Sequence, residues 1–144
     1  MLSVVIPAYN EEKMIARTAE SITSLLDNND IDHELLFVND GSSDATWRCI
    51  EEAHEADLRI RGISFSRNFG KEAAILAGLK RASGDYIALV DADLQQRPEI
   101  VVDMGNYLEG HEEYDVVAAY QEHRIEGKLM SGVKKLFYSL INKV

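Results

Sequence analysis

The chain has 144 residues, of which 46% are hydrophobic and 28% are charged, a composition typical of one soluble globular domain. No stretch approaches the roughly 20 consecutive apolar residues of a membrane span, and the amino terminus lacks the basic segment of a signal peptide. The net charge of −10 argues against nucleic acid as a partner. The single cysteine, Cys49, excludes an internal disulfide, and these features together favour the cytoplasm.

Strands and helices are predicted to alternate along the whole chain. Apolar runs predict strands at 2–7, 34–39, 60–65, 86–91 and 115–120. A first helix follows Asn10, with an apolar stripe formed by Ile15, Ala19, Ile22 and Leu26. Further helices are predicted at about 45–56, 71–82, 98–110 and 131–142. This alternation implies an α/β fold with a mostly parallel sheet that is flanked by helices.

Local signals mark where these elements begin and end. Pro7 is expected to stop the first strand, because proline lacks the N–H that a sheet requires. Asn10 is expected to cap the first helix, with Glu11 and Glu12 in its first turn. Gly84 is expected to be the C-cap of the 71–82 helix.

Three polar loops, at 7–12, 39–44 and 91–98, follow predicted strands. In parallel α/β sheets, ligands bind outside the carboxyl ends of the strands, close to the point where the strand order reverses. We therefore expect these three loops to converge on one cleft.

Asp91 and Asp93 are the most informative residues of that cleft. In an extended backbone, side chains two positions apart point to the same face, so both carboxylates are expected to address one site. Two such oxygen donors suit Mg²⁺ or Mn²⁺, which commonly shares its ligands with substrate phosphates. A bound cation would also help an acidic chain to hold a phosphorylated ligand. The alternative is a pair of solvated acids in a turn.

Common nucleotide-binding and nucleophile motifs are missing from the sequence. Gly70-Lys71 is followed by Glu72 and has no glycine five positions before Gly70, so it is no P-loop. Neither G-x-G-x-x-G nor G-x-S-x-G occurs.

The motifs that are present form an ordered set. Pro-Ala-Tyr-Asn-Glu-Glu at 7–12, Val-Asn-Asp-Gly-Ser-Ser-Asp at 38–44 and Asp-Ala-Asp at 91–93 resemble the family 2 glycosyltransferases of the GT-A fold. Ser-Arg-Asn-Phe-Gly-Lys-Glu-Ala-Ala at 66–74 and Asp-Ala-Asp-Leu-Gln-Gln-Arg-Pro-Glu at 91–99 are similar to the branch that transfers sugars to polyprenyl phosphates. The resemblance covers residues 2 to about 100.

The resemblance implies roles for particular residues. The nucleotide is expected to contact Pro7, Ala8, Tyr9, Glu11, Val38, Asp40, Lys71, Asp91 and Ala92. In this set Asp40 is expected to accept a hydrogen bond from a base N–H. The metal, Mg²⁺ or Mn²⁺, is expected to be bound by Asp93, Asp91 and Gln95.

Cations near the metal strand are candidates for phosphate or acceptor contacts. Arg67 and Lys71 can meet the diphosphate or a lipid phosphate, although a surface role is the alternative for both. Relatives place an arginine near position 121, where this chain has Gln121, and the nearest arginine is Arg124. The four histidines lie outside the motifs and are interpreted as surface or structural residues.

The predicted activity is transfer of a hexose from a nucleotide sugar to a polyprenyl phosphate at the cytoplasmic face of a membrane. UDP is the favoured nucleotide, GDP is possible, and the reaction is expected to depend on metal and to invert the anomeric centre. A transferase acting on another glycan and a non-catalytic sugar-nucleotide-binding fragment are the alternatives.

Similar enzymes continue well past residue 144. We therefore expect a truncated chain that carries the donor-binding part, with the acceptor part and any base beyond Val144. The basic amphipathic segment 134–143 can lie on an anionic membrane surface or pack on the rest of its own domain.

Overall fold

The structure, a computed structural model, describes residues 1–94 and 97–119. Its elements alternate as the sequence predicts, and they are β1 (Leu2–Ala8), α1 (Ile15–Asn28), β2 (His33–Asn39), α2 (Thr46–Ala56), β3 (Ile60–Ser64), α3 (Lys71–Arg81), β4 (Tyr86–Leu89) and α4 (Glu99–Glu109). Among the described residues no helix is long and apolar enough to cross a membrane.

The four strands form a parallel sheet in the order β3-β2-β1-β4. The chain runs outward from β1 through β2 to β3 and then crosses to the other side of β1 to form β4. The strand order therefore reverses between β1 and β4, and a cleft is expected at the carboxyl ends of these two strands. The fold class predicted from the sequence is confirmed.

Helices cover both faces of the sheet. On one face, alternate residues of β1 and β2 such as Val4, Ile6 and Phe37 join a core cluster with α1, α2 and α4. On the other face, Val5, Leu36 and Val38 pack against Ala74 of α3. Helix α3 approaches β1 so closely that a Cβ atom at Gly78 would lie 2.2 Å from Val5 Cγ1.

The carboxyl end of α3 is anchored by Glu34, a carboxylate in the middle layer of the fold. Its side chain is only 7% exposed. Ser3 Oγ donates to Glu34 Oε1 at 2.6 Å, and the N–H and hydroxyl of Ser83 both donate to the same atom at 2.8 Å. Arg61 Nη1 donates to Glu34 Oε2 at 2.8 Å. These bonds tie β1, β2 and β3 to the segment between α3 and β4.

Two predictions about the first loop are wrong. Strand β1 continues through Pro7 to Ala8, because its pairing with β4 ends at Val5 and the missing N–H of Pro7 breaks no pair there. Asn10 does not cap α1, which begins at Ile15 without an acidic residue in its first turn. Asn10 has a φ of 55°, and its Oδ1 accepts a hydrogen bond from the N–H of Ser43.

Other boundaries also differ from the sequence prediction. Gly84 is not a helix cap: α3 ends at Arg81, and a Cβ atom at Gly84 would lie 2.7 Å from the carbonyl oxygen of Met1. Within the described part of the chain, residues 115–119 form no strand, and Val116 is 80% exposed. The predicted helix at 131–142 lies outside the described residues.

Candidate functional site

The loops that follow β1, β2 and β4 line one cavity of about 300 Å³ at the carboxyl edge of the sheet. The segment that leads into α3 forms a further wall. The lining residues are Pro7, Ala8, Tyr9, Glu11, Asp40, Asn68, Gly70, Lys71, Ala74, Asp91, Ala92 and Asp93. This volume lies at the lower end of the range for small-ligand sites, and the position agrees with the reversal of strand order.

The loop after β1 is held by the loop after β2. The N–H of Glu11 donates to Thr46 Oγ1 at 2.8 Å, and the N–H of Asn10 donates to Ser42 Oγ at 2.9 Å. Asp44 accepts from the N–H of Glu12 at 3.2 Å and from the N–H of Thr46 at 3.0 Å. Burial would raise the pKa of the Asp44 carboxyl, but a hydrogen bond from the Thr46 hydroxyl, together with these two N–H groups, holds the pKa below its ordinary value. This frame presents Tyr9, which is 48% exposed, at the cavity.

Asp40 joins the loop after β2 to the segment before α3. The residue is buried at 4% exposure, and its carboxylate accepts hydrogen bonds from the N–H of Phe69 at 2.7 Å and of Gly70 at 2.9 Å. Gly41 has a φ of 64°, and a Cβ atom there would lie 2.2 Å from the carbonyl carbon of Arg67. The two segments are therefore in direct backbone contact.

Asp91 and Asp93 lie in a turn, so the extended geometry predicted for them is wrong. Strand β4 ends at Leu89, and Leu94 has a φ of 52°. Both carboxylates nevertheless line the same cavity. The turn is fixed from below by Thr18 of α1, whose buried hydroxyl donates to the carbonyl oxygen of Ala92 at 2.7 Å.

The cavity is rich in negative charge. Four of its lining residues are acids, namely Glu11, Asp40, Asp91 and Asp93, and Lys71 is the one cation among the described lining residues. Lys71 Nζ lies 2.5 Å from Asp91 Oδ1, and the two side chains are 56% and 40% exposed. Lys71 thus already compensates part of the charge of Asp91.

The donors of the cavity fit a hard divalent cation. Asp91 and Asp93 offer carboxylate oxygens, and Mg²⁺ usually takes only one or two carboxylates, leaving positions for water and phosphate oxygens. The described residues contain no group of three or more His, Cys, Asp or Glu side chains that could hold a metal alone. The arrangement therefore suits an ion that shares its ligands with a phosphorylated substrate.

Four predicted site residues either do not line the cavity or lie outside the described residues. Val38 is fully buried in the core and does not line the cavity. Arg67 does not line it either, because its guanidinium lies over the Phe69 ring at 4.3 Å. Gln95 and Arg124 are outside the described residues.

The structure adds residues that sequence reasoning did not select. Asn68, Gly70 and Ala74 line the cavity beside Lys71. All three belong to the motif at 66–74 and lie within three residues of Lys71 in the sequence. This proximity to Lys71 is the signal that would have identified them.

Comparisons with known proteins bear on the family and the fold of the chain. The family model described as Glycosyl transferase family 2 matches residues 3–143. The bactoprenol glucosyl transferase of Shigella phage SfV is 34% identical over 143 residues, which are 99% of this chain and 46% of the relative. The first curated relatives that match are likewise covered over only 43–45% of their length, so the chain spans less than half of each.

Solved structures with the same fold include a synthase and a mannosyltransferase. The glucosyl-3-phosphoglycerate synthase from Mycobacterium tuberculosis in complex with UDP has a TM-score of 0.69 and 28% identity, over 86% of this chain and 45% of that chain. A mannosyltransferase from Pyrobaculum calidifontis in complex with GDP-Man and Mn²⁺ has a TM-score of 0.64 and 22% identity, over 74% of this chain and 32% of that chain.

Proposed function

We propose a function from one premise, which is that the chain belongs to glycosyl transferase family 2. The proposal is that residues 1–144 are the donor-binding part of a transferase that takes a hexose from a nucleotide sugar. The observation that carries it is that Tyr9, Glu11 and Asp40 line the same cavity as Asp91 and Asp93.

The nucleoside is assigned to the side of the cavity formed by the loop after β1. Tyr9 offers an exposed ring for a base, and Glu11 offers a carboxylate for sugar hydroxyls. Asp40 retains lone pairs for a base N–H beyond the two that it uses within the protein. UDP is the favoured nucleotide, since the synthase with 28% identity was solved with UDP, and GDP is the second choice.

The diphosphate is assigned to the side formed by the turn after β4. Asp93 and Asp91 would hold Mg²⁺ or Mn²⁺, with Gln95 as a further oxygen ligand, and Lys71 is placed to meet a phosphate oxygen. The chemistry that the cation supplies in such a place is neutralisation of charge on the departing diphosphate.

The acceptor is assigned to a polyprenyl phosphate. The SfV relative is by name a bactoprenol glucosyl transferase, and the motif around Lys71 is the one that resembles lipid-phosphate enzymes. A phosphate acceptor is already anionic, so the reaction needs no strong general base, and in-line attack would invert the anomeric centre. The whole protein would then work at the cytoplasmic face of a membrane, with Arg67 and Arg124 as candidate contacts of the lipid phosphate.

Two experiments test this function. Calorimetry of the 144-residue chain with UDP, GDP and their sugars, with and without Mn²⁺, should show metal-dependent binding of one nucleotide family. Absence of all binding would refute the donor site. The protein that extends over the full length of its relatives should transfer the sugar to polyprenyl phosphate, and a water-soluble glycan product would instead refute the acceptor.

A further inference from the structure

We propose that Asp40 is a positioning residue that places Lys71 in the cavity by fixing the amino-terminal end of α3. The inference rests on the proposed donor site, and it differs from base recognition by Asp40. Diphosphate binding would therefore depend on Asp40, although Asp40 lies on the side of the cavity that is assigned to the nucleoside.

The contacts of Asp40 run directly to the start of α3. The two N–H groups that its carboxylate binds belong to Phe69 and Gly70, and the helix begins with the next residue, Lys71. Both bonds are charge-assisted and Asp40 is 4% exposed, so they are stronger than bonds at the surface. Asp40 thus fills the position at which the first N–H groups of a helix would hold an external anion.

The segment that leads into α3 contacts the end of β2 and the loop after it at several points. The N–H of Phe65 donates to the carbonyl oxygen of Asn39 at 2.9 Å, and Asn39 Nδ2 donates to Ser64 Oγ at 2.9 Å. Next comes the contact of Gly41 with the Arg67 backbone, which leaves no room for a side chain at position 41. Asp40 makes the last contacts of this series before the helix.

The position of Lys71 depends on this docking. Its side chain is 56% exposed and extends into the cavity from the first residue of α3, so the position of that backbone decides where the ammonium group can reach. In the structure, Lys71 Nζ lies 2.5 Å from Asp91 Oδ1. If the start of α3 shifts, Lys71 leaves the side of the cavity where a diphosphate would bind, although the base-binding side keeps its own residues.

A double-mutant cycle tests this coupling. Mn²⁺·pyrophosphate, which has no base, is titrated by calorimetry into the 144-residue chain and into variants with Asp40→Asn, Lys71→Met or both. Asparagine keeps one acceptor oxygen and turns an N–H donor toward the other backbone N–H, so one bond of Asp40 is lost. Glu52→Gln, an exposed change on α2 outside the cavity, is the control for net charge.

We expect Asp40→Asn to weaken Mn²⁺·pyrophosphate binding about tenfold when Lys71 is present, and less than twofold in the Lys71→Met background. Hydrogen exchange at the N–H groups of Phe69 and Gly70 should accelerate in Asp40→Asn without any ligand. If that variant does not fold, Asp40→Glu is used in the same cycle, since it keeps the charge and moves the carboxylate by one methylene.

Two results would overturn the inference and leave the donor site intact. One is an equal loss of pyrophosphate affinity in both Lys71 backgrounds. The other is a loss confined to nucleosides with unchanged pyrophosphate affinity, which would mean that Asp40 only reads the base. If the unmodified chain binds neither pyrophosphate nor any nucleotide, the proposed function fails and this inference fails with it.

Discussion

Replacement of Glu34 by glutamine should make the free energy of unfolding much less dependent on pH in the acidic range. Glu34 accepts hydrogen bonds from Ser3, Ser83 and Arg61, and its side chain is 7% exposed. Burial would raise the pKa of this carboxyl, but the hydrogen bonds prevail and lower it from the ordinary 4.5 to about 2. Glutamine has nearly the same shape but no charge, and one of its two acceptor oxygens becomes a donor.

The size and direction of the effect follow from the pKa of Glu34. A pKa that is lower in the folded than in the unfolded chain stabilises the folded state above the unfolded value. The stabilisation from Glu34 is therefore complete above about pH 5 and is lost as the pH falls from 4.5 toward 2. At neutral pH it amounts to about 3 kcal/mol, because one pKa unit corresponds to about 1.36 kcal/mol.

Urea unfolding of both proteins at several pH values between 7 and 2.5 measures this directly. We expect Glu34→Gln to be about 3 kcal/mol less stable at pH 7 and the gap to shrink steadily below pH 4.5. Glu52→Gln is the matched control, because the Glu52 side chain is 58% exposed in an i,i+4 pair with Arg48 and should change stability by less than about 0.5 kcal/mol. A gap that stays constant over the whole range would refute the role assigned to the Glu34 charge.

Three further predictions follow from the site and from close backbone contacts. Asp93→Asn should remove most of the Mn²⁺ dependence of nucleotide binding in calorimetry, because an amide oxygen carries no charge to hold the cation; unchanged Mn²⁺ dependence would place the metal elsewhere. Gly41→Ala should lower the free energy of unfolding by about 2 kcal/mol or more, since the positive φ and the contact with Arg67 both oppose a side chain; a neutral result in urea unfolding would contradict the docking. Gly78→Ala should destabilise by about 1–3 kcal/mol through its clash with Val5. Gly105→Ala, where no atom of the described residues lies within 4 Å of the Cβ position, should instead stabilise by up to about 1 kcal/mol. Equal effects of the two changes on urea unfolding would show that packing at α3 is loose.

The order and type of β1 to β4 and of α1 to α4 could be predicted because these elements follow local periodicity. The stripe Ile15, Ala19, Ile22 and Leu26 is buried in α1 as its spacing predicts. Every residue of β2 is buried, which agrees with the continuous apolar run of a central parallel strand. These patterns report burial directly, and burial is what determines both elements.

Boundaries failed where a distant partner overrides the local signal. Asn10 has the chemistry of a helix cap, but its carboxamide is engaged by Ser43, which is 33 residues away. Gly84 is suited to a helix end, but it serves to let its backbone approach Met1 and Ser3. Neither partner can be identified from sequence spacing, because both contacts depend on how separate loops meet in three dimensions.

The candidate site was predicted in composition but not in geometry. Asp91 and Asp93 reach one cavity through a turn and not through an extended strand. Val38 belongs to a motif of the resemblance but points into the core. The hydrogen bonds of Asp40 to the backbone of Phe69 and Gly70 span 29 and 30 residues and involve no side chain of the partner. The residue types in the sequence therefore do not predict these bonds.

Two buried carboxylates, Asp40 and Glu34, lie near the two ends of β2 and fix the helix that carries Lys71. Asp40 lies beyond the carboxyl end of β2, and within the described part of the chain its carboxylate accepts hydrogen bonds from two backbone N–H groups at the start of α3. Glu34 lies near the other end of β2 and holds the segment after α3. Asp40 accepts hydrogen bonds from N–H groups, and Glu34 accepts them from hydroxyls, a backbone N–H and Arg61. Neither carboxylate therefore pairs with Lys71, which contacts Asp91. Helix α3 is thus fixed at both ends by acids, and its first side chain remains at the cavity, where a diphosphate needs positive charge.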